Sequence, residues 1–565
     1  MLFTKIFLQI ISVFFYTQMR LQSSAYDHNN STEKMEVVIE QGVLKGVQNK
    51  TLLSNKPYVS FLGIPYAKPP VNDLRFKPPV KHPGWSGILK AISEMDRCMQ
   101  YAFGTNDIIG SEDCLYLNVL VPQVVKTQNG LNEKLAVMIF IHGGAFNYGC
   151  GSVNEQSPDY LLDENVIVIT LNYRLNALGF LNLDIDECPG NMGLKDQLFA
   201  IKWIKANIAA FGGDVNNITI FGESAGSASV HYHTMSPQST GLFQKAIMQS
   251  GCAFNPWALN ENHRVSAFKL ANNLGCLSSD PNEIVRYLRN VSAIDLVKET
   301  KFKDDNGFLD YKFVPSIESD MVSNRFLSAH PETLATIASP VPVIVGLNNM
   351  EGIIALSEYR LSKFSDLQIT DEISKLFNNQ YSTEVISKIK DFYFNKCNNN
   401  CETAKLENIC HLHSDVFFVK DFNRGLDYFL KQNVTPVYIY EFKFDGELNA
   451  IKNWIFATRT VLRHALKGAC HADEIYYLFH NNLSGVVPKP NSPELEMCKT
   501  MSKMWSNFAK TGDPNSLNLS FKWNYASASD INYLSIDGDR TQMTQGMINN
   551  NRSRFWKDLI KEFIV

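Results

Sequence analysis

The sequence predicts an α/β protein, with a central, mostly parallel sheet flanked by helices, and three observations carry that expectation. First, strand-like apolar runs at 135–141, 166–171, 218–222, 245–250, 342–347 and 436–442 alternate with helical patterns such as 195–211. That order is the one that strand–helix–strand crossovers produce. Second, with 565 residues, 45% of them hydrophobic and 12% aromatic, the chain can bury a large core. A prior of about 150 residues per domain would divide it into three or four parts. However, no Pro/Ser/Gly-rich linker, charge block, low-complexity tract or repeat interrupts it, so 26–565 is expected to be one domain. Third, tiny residues crowd the points where strands end, most densely in "NITIFGESAGSASVHYHTMS" at 217–236.

Within that stretch Gly222, Ser224 and Gly226 form G-x-S-x-G, which describes a strand-to-helix turn so sharp that larger flanking side chains would clash. The pattern alone would occur by accident roughly one time in eight in a chain of this length. Context adds the rest, because Asn217 to Phe221 read as a strand and the small residues from Ala225 onward as a helix. A serine hydroxyl is a poor nucleophile at neutral pH and needs a base and an oxyanion site. Upstream, "LAVMIFIHGGAFNYG" (135–149) is a buried strand breaking into a glycine-rich loop, so the N–H groups of Gly143, Gly144 and Ala225 are the expected oxyanion donors. Downstream, Glu351 follows the strand "PVIVGLN" and His471 sits in the loop "GACHADE". Ser224, Glu351 and His471 thus run in the chain order nucleophile, acid, base expected of an α/β-hydrolase.

These segments resemble the type-B carboxylesterase/cholinesterase family, and most nearly its insect carboxylesterases. The likeness also takes in "LGIPYAKPPVNDLRFKPP", "SEDCLYLNV", "VIVITLNYRLNALGFL", "GNMGLKDQLFAIKWIKANIAAFGGD" and "FAKTGDPN", nearly the whole mature chain. The resemblance implies a serine hydrolase that cleaves carboxylic esters through an acyl-enzyme, with a Ser-His-Glu triad and no cofactor. It also implies a disulfide between Cys98 and Cys114. Cys276 matches the first cysteine of a second family bridge, but Tyr287 stands where its partner is expected, so that bridge is read as lost. Cholinesterase-like enzymes stack choline on a tryptophan of the first disulfide loop by cation–π attraction. Here the loop offers Tyr101 and Phe103 and no tryptophan, which disfavours acetylcholine. GESAG in place of GQSAG likewise disfavours a juvenile-hormone-type esterase. The reading that remains is a general carboxylesterase for uncharged, fairly apolar esters, in detoxification or odorant clearance. The alternatives are a juvenile-hormone-type esterase, or a catalytically marginal esterase-like binding or adhesion protein, a class whose members have lost the nucleophile that Ser224 would supply.

Other conspicuous residues receive structural readings. His142 is expected beneath the oxyanion loop, His231 and His233 on the helix after the elbow, and Arg75 with Glu112 and Arg174 with Asp196 in structural ion pairs. Cys397, Cys401 and Cys410 with His411 and His413 are only a faint zinc pattern, and no metal is expected. A net charge of -4 gives no footprint for nucleic acid. At the amino terminus, Lys5, the mostly apolar run Ile6 to Tyr16 and the small residues Ser23-Ser24-Ala25 predict a secretory signal peptide over 1–25. N-x-S/T sequons at Asn29, Asn30, Asn49, Asn290, Asn433, Asn482, Asn518 and Asn551 are glycosylation candidates on that route, whereas Asn217 is expected to be buried at the elbow strand. "KEFIV" carries no retention tetrapeptide or hydrophobic tail, so the expectation is a secreted protein without a membrane anchor, of undetermined oligomeric state.

Overall fold

A computed structural model describes residues 35–123, 134–300, 302–303, 309–310, 312–338, 340–357, 369–377, 381–395, 402–457, 466–517 and 519–563. Its framework is an eleven-stranded sheet. In chain order the strands are β1 (Val47–Lys50), β2 (Pro57–Pro65), β3 (Tyr116–Pro122), β4 (Leu135–Ile141), β5 (Ile167–Leu171), β6 (Gly213–Glu223), β7 (Lys245–Gln249), β8 (Val343–Asn348), β9 (Val437–Phe442), β10 (Asn532–Ile536) and β11 (Gln542–Gln545). Across the sheet they lie in the order β11-β10-β9-β8-β7-β6-β4-β5-β3-β2-β1. Every pairing from β5 through β10 is parallel, and the pairings beyond these at both ends are antiparallel. The α/β expectation therefore holds.

The helices that bear on the site are α1 (Met192–Asn207), α2 (Ala225–Met235), α3 (Thr383–Phe394), α4 (Glu402–Ser414), α5 (Lys420–Gln432), α6 (Pro493–Thr511) and α7 (Asn550–Phe563). Helix α1 starts earlier than the pattern at 195–211 suggests, since Asn191 takes a left-handed conformation just before Met192, and its end tightens into a 3-10 turn over Ile208–Phe211. Strand β4 explains why the parallel strands read as unbroken apolar runs. Val137, Ile139 and Ile141 face one core, whereas Ala136, Met138 and Phe140 face another on the opposite side of the sheet. A strand covered on both faces has no polar position to alternate with. Among the described residues no helix is long and apolar enough to cross a membrane.

The crowding of tiny residues at the elbow has a steric cause. A Cβ on Gly222 would lie 2.6 Å from the Gly226 carbonyl group, and one on Gly226 would overlap the Ile141 carbonyl oxygen. Both obstacles are backbone and cannot rotate away. Gly226→Ala is accordingly expected to destabilise the fold by roughly 3 kcal/mol, since it overpacks a rigid site. Thermal unfolding followed by circular dichroism checks this, and an unchanged midpoint would contradict the clearance argument.

Candidate active site

Two strand ends and one loop bring the sequence-selected side chains together. Ser224 follows β6, Glu351 follows β8, and His471 lies in the loop that leads to a 3-10 turn over Asp473–Tyr477. The Ser224 Oγ is 2.9 Å from His471 Nε2, and His471 Nδ1 is 2.6 Å from Glu351 Oε2. Because a carboxylate can only accept, this geometry requires the imidazole tautomer with its hydrogen on Nδ1, leaving Nε2 to take the serine proton. The other oxygen of Glu351 accepts from Ser250 Oγ at 2.6 Å and from the Asn348 N–H at 2.7 Å. Glu351 is 0% exposed, His471 6% and Ser224 9%, so the row runs from the core outward to the serine.

Ser224 itself adopts φ 57° and ψ −123°, a conformation that side-chain-bearing residues rarely take. Its N–H donates to the Gln249 carbonyl at 2.8 Å, and its own carbonyl accepts from Ala228 N at 2.9 Å, fixing it between β7 and α2. The glycine-rich loop passes close by, since a Cβ on Gly143 would lie 3.0 Å from the Ser224 Cβ. Gly144, Ala145 and Phe146 follow with φ of 100°, 51° and 60°. Asn147 N and Tyr148 N close a turn onto the Gly144 carbonyl at 2.9 and 3.0 Å, and the Phe146 ring is wholly buried against Phe180. Among the described residues, the N–H groups of Gly143, Gly144, Ala145 and Ala225 donate to no protein acceptor. Gly143, Gly144 and Ala225 are the donors expected from the sequence. Ala145 is not among them, because an alanine with positive φ leaves no compositional signal.

The electrostatics were also only partly visible in the sequence. Glu223 Oε1 lies 3.1 Å from His471 Nε2 and has no hydrogen-bond donor among the described residues. Burial raises Glu223 above the ordinary carboxylate range, against the opposing pull of His471. Glu474 accepts from Gln249 Nε2 at 3.3 Å and from Asn348 Nδ2, and burial followed by the Glu351 charge raises it to about 7. Burial alone would lower His471, but the carboxyl groups of Glu223, Glu351 and Glu474 outweigh it and hold the imidazole above the ordinary histidine range. Asp473, beside the histidine in sequence, turns away to accept from the N–H groups of Ile451, Lys452 and Cys470.

The residues read as structural are engaged elsewhere. His142 Nδ1 lies 2.8 Å from the Gly143 carbonyl, with its ring stacked on Tyr173. His231 accepts from Ala253 N, and His233 bridges Ser239 and Gln197. Arg75 pairs with Glu112, and Arg174 with Asp196. Cys98 and Cys114 are disulfide-bonded. Cys276 is a buried thiol, and the Tyr287 hydroxyl donates to the Leu274 carbonyl beside it. Cys397 and Cys401 lie outside the described residues, among which no metal-binding cluster occurs. The disulfide loop has no tryptophan of its own, but Trp454 supplies one from outside it. Its ring packs on Phe103 at 5.0 Å, and Phe103 packs on Tyr148 at 5.2 Å. Of the sequons, Asn290, Asn433, Asn482 and Asn551 are exposed. Asn49 is half-buried and its amide donates to Ser60 Oγ at 2.8 Å. Asn217 is half-buried rather than fully enclosed, with its amide held by the Lys510 carbonyl and Lys245. Asn29, Asn30 and Asn518 lie outside the described residues.

The fold and the family match define an α/β-hydrolase, and its class is that of carboxylic ester hydrolases. More narrowly, the chain belongs to the carboxylesterase family, whose model matches residues 33–556. It is similar to Esterase FE4 of Myzus persicae, at 36% identity over 496 residues covering 86% of this chain and 85% of the relative. It is 34% identical to the Juvenile hormone esterase of Tribolium castaneum, with 86% of each chain covered. It is also 34% identical to Venom carboxylesterase-6 of Apis mellifera, with 92% of this chain and 93% of the relative covered.

The raised position of His471 is open to direct measurement. An NMR titration of the His471 ring nitrogens is expected to give a midpoint above the ~6.5 of a free histidine. Glu223→Gln is expected to move that midpoint down, because it removes the carboxyl nearest Nε2. A midpoint at or below that of the free residue would contradict the electrostatic account.

Proposed function

We propose that Ser224, His471 and Glu351 are the nucleophile, general base and orienting acid of an acyl-transfer reaction on carboxylic esters. The observation that carries this reading is the unbroken row of hydrogen bonds from Ser224 Oγ through His471 to Glu351. As Oγ attacks the ester carbonyl carbon, its proton passes to His471 Nε2, and the Nδ1–H bond to Glu351 stabilises the imidazolium that results. The carbonyl electrons move onto oxygen, where the N–H groups of Gly143, Gly144 and Ala225, with Ala145 beside them, receive the negative charge. Collapse expels the alcohol, which takes the proton from Nε2 and leaves an acyl-Ser224. Water then repeats the sequence with His471 again as base and frees the acid.

The substrates proposed are uncharged, fairly apolar esters. Phe418 packs on His471 at 4.5 Å, and Trp257 lies against Gly251, whose own backbone abuts Ser224, so aromatic carbon borders the reacting centre. The proposal extends to a secreted glycoprotein in which a signal peptide over 1–25 precedes one domain, with Asn290, Asn433, Asn482 and Asn551 the candidates whose exposure suits a glycan.

Hydrolysis of naphthyl and nitrophenyl esters by purified protein tests the reading. Ser224→Ala is expected to lower kcat by about 10⁶-fold with the fold intact, and Glu351→Gln by up to about 10⁴-fold. Activity within tenfold of the wild type in Ser224→Ala would sink the assignment.

A further inference from the structure

Between α4 and α5 the chain passes through one turn of π-helix, Asp415–Val419. Such turns are rare and tend to occur at functional sites. This one is gripped on both sides. From the loop after β7, Asn255 Nδ2 donates to the Phe417 carbonyl at 2.8 Å and Trp257 Nε1 donates to the same oxygen at 2.9 Å. From the far side, Arg552 of α7 pairs with the buried Asp415 at 2.8 Å, and the Tyr393 hydroxyl donates to the same carboxylate. Trp556 Nε1 in turn donates to the Tyr393 oxygen at 2.8 Å. Just before the turn, Ser414 Oγ accepts from the N–H of Gly352, the neighbour of Glu351, at 2.8 Å. What the turn presents inward is Phe418, buried, with its ring centroid 4.5 Å from that of His471 and an interplanar angle of 35°.

We propose that Phe418 is a positioning residue for His471, held in place by the π-helical turn so that the imidazolium keeps its Nε2 proton directed at Ser224 and the departing alcohol rather than at Glu223. The inference rests on His471 acting as the base. Two oxygens compete for that proton, since Ser224 Oγ is 2.9 Å from Nε2 and Glu223 Oε1 is 3.1 Å away. The bond from Nδ1 to Glu351 fixes one edge of the ring but does not by itself stop the other edge from swinging between these acceptors. A rigid aromatic plate against the ring's flank restricts the swing, and its π face attracts the imidazolium more than the neutral imidazole. The groups facing His471 are Glu351 after β8, Glu223 at the end of β6 and Glu474 on its own loop. The charge carried by the π-helical turn, Asp415, is paired outward to Arg552.

The test compares Phe418→Leu, Phe418→Met and Phe418→Tyr with the wild type in nitrophenyl ester hydrolysis across pH, with circular dichroism as the folding control. Leu and Met, two different apolar fillings of the site, are each expected to lower kcat by about 5- to 30-fold, a loss on the scale of one desolvated cation–π contact plus lost positioning. KM should stay within about twofold, and the acid limb of kcat/KM should move to lower pH as the imidazolium loses support. Phe418→Tyr, which keeps the ring, should recover most of kcat and the wild-type limb. Wild-type kcat and an unmoved limb in whichever of the Leu and Met variants folds would overturn the proposal, and so would a change in KM alone. His471→Asn, assayed alongside, separates the two readings. If it remains active, the base assignment fails, whereas if it is inactive while Phe418→Leu matches wild type, only the positioning role fails.

Discussion

The hydrogen bond from the Ser224 N–H to the Gln249 carbonyl, 2.8 Å long, fastens an unfavourable backbone conformation to the end of a neighbouring parallel strand, and the rest of the site depends on it. With φ at 57° and ψ at −123°, Ser224 would relax if the surroundings allowed it. They do not, because glycines at 222 and 226 let β4, β6 and α2 approach to backbone contact, and Gly251 lets the next loop lie against the Ser224 carbonyl. The local strain is held by tertiary packing. Its result is a hydroxyl projected from the end of the sheet, within reach of side chains from more than a hundred residues downstream.

Around that hydroxyl the molecule concentrates carboxyl groups on one histidine. Glu351 takes Nδ1, Glu223 stands by Nε2, and Glu474 sits behind them through Asn348 and Gln249. Three full negative charges in so dry a space would repel one another strongly. Burial resolves this by raising Glu223 and Glu474, so that these two hold protons more readily while the histidine is favoured in its charged form. The site is thus arranged for the moment when the imidazolium exists. Gln249 joins the two themes, as its carbonyl holds Ser224 and its side chain meets both Glu474 and the Trp505 indole of α6.

Much of this was legible in the sequence where the physics is local. A strand buried on both faces is apolar along most of its length, so β4, β5, β7, β8 and β9 stand out as runs. The elbow has to use glycine where backbones touch, so Ser224 is marked by its neighbours. Resemblance to a known family then selected Glu351 and His471 from many carboxylates and histidines, which spacing alone could not do. What escaped was whatever depends on long-range packing. Ala145 takes a left-handed conformation because Phe146 is anchored in the core, Trp454 reaches the disulfide loop from over three hundred residues away, and Glu474 joins the cluster through Asn348. Phe418 looks like any core aromatic until the π-helical turn sets it on the histidine. Helix α1 begins at Met192 because of the left-handed Asn191, a boundary that periodicity does not encode.

The central claim is that one serine, activated through His471 and Glu351, carries the acyl group during ester hydrolysis. Its most direct measurement is peptide mass spectrometry of the protein after inactivation by an organophosphate, whose tetrahedral phosphorus places an oxygen where the ester oxyanion would sit. The account expects a single phosphoryl adduct, on the peptide containing Ser224, formed in step with loss of esterase activity and absent in His471→Ala on the same time scale. An adduct confined to any other residue, or full inactivation with Ser224 unmodified, would contradict it.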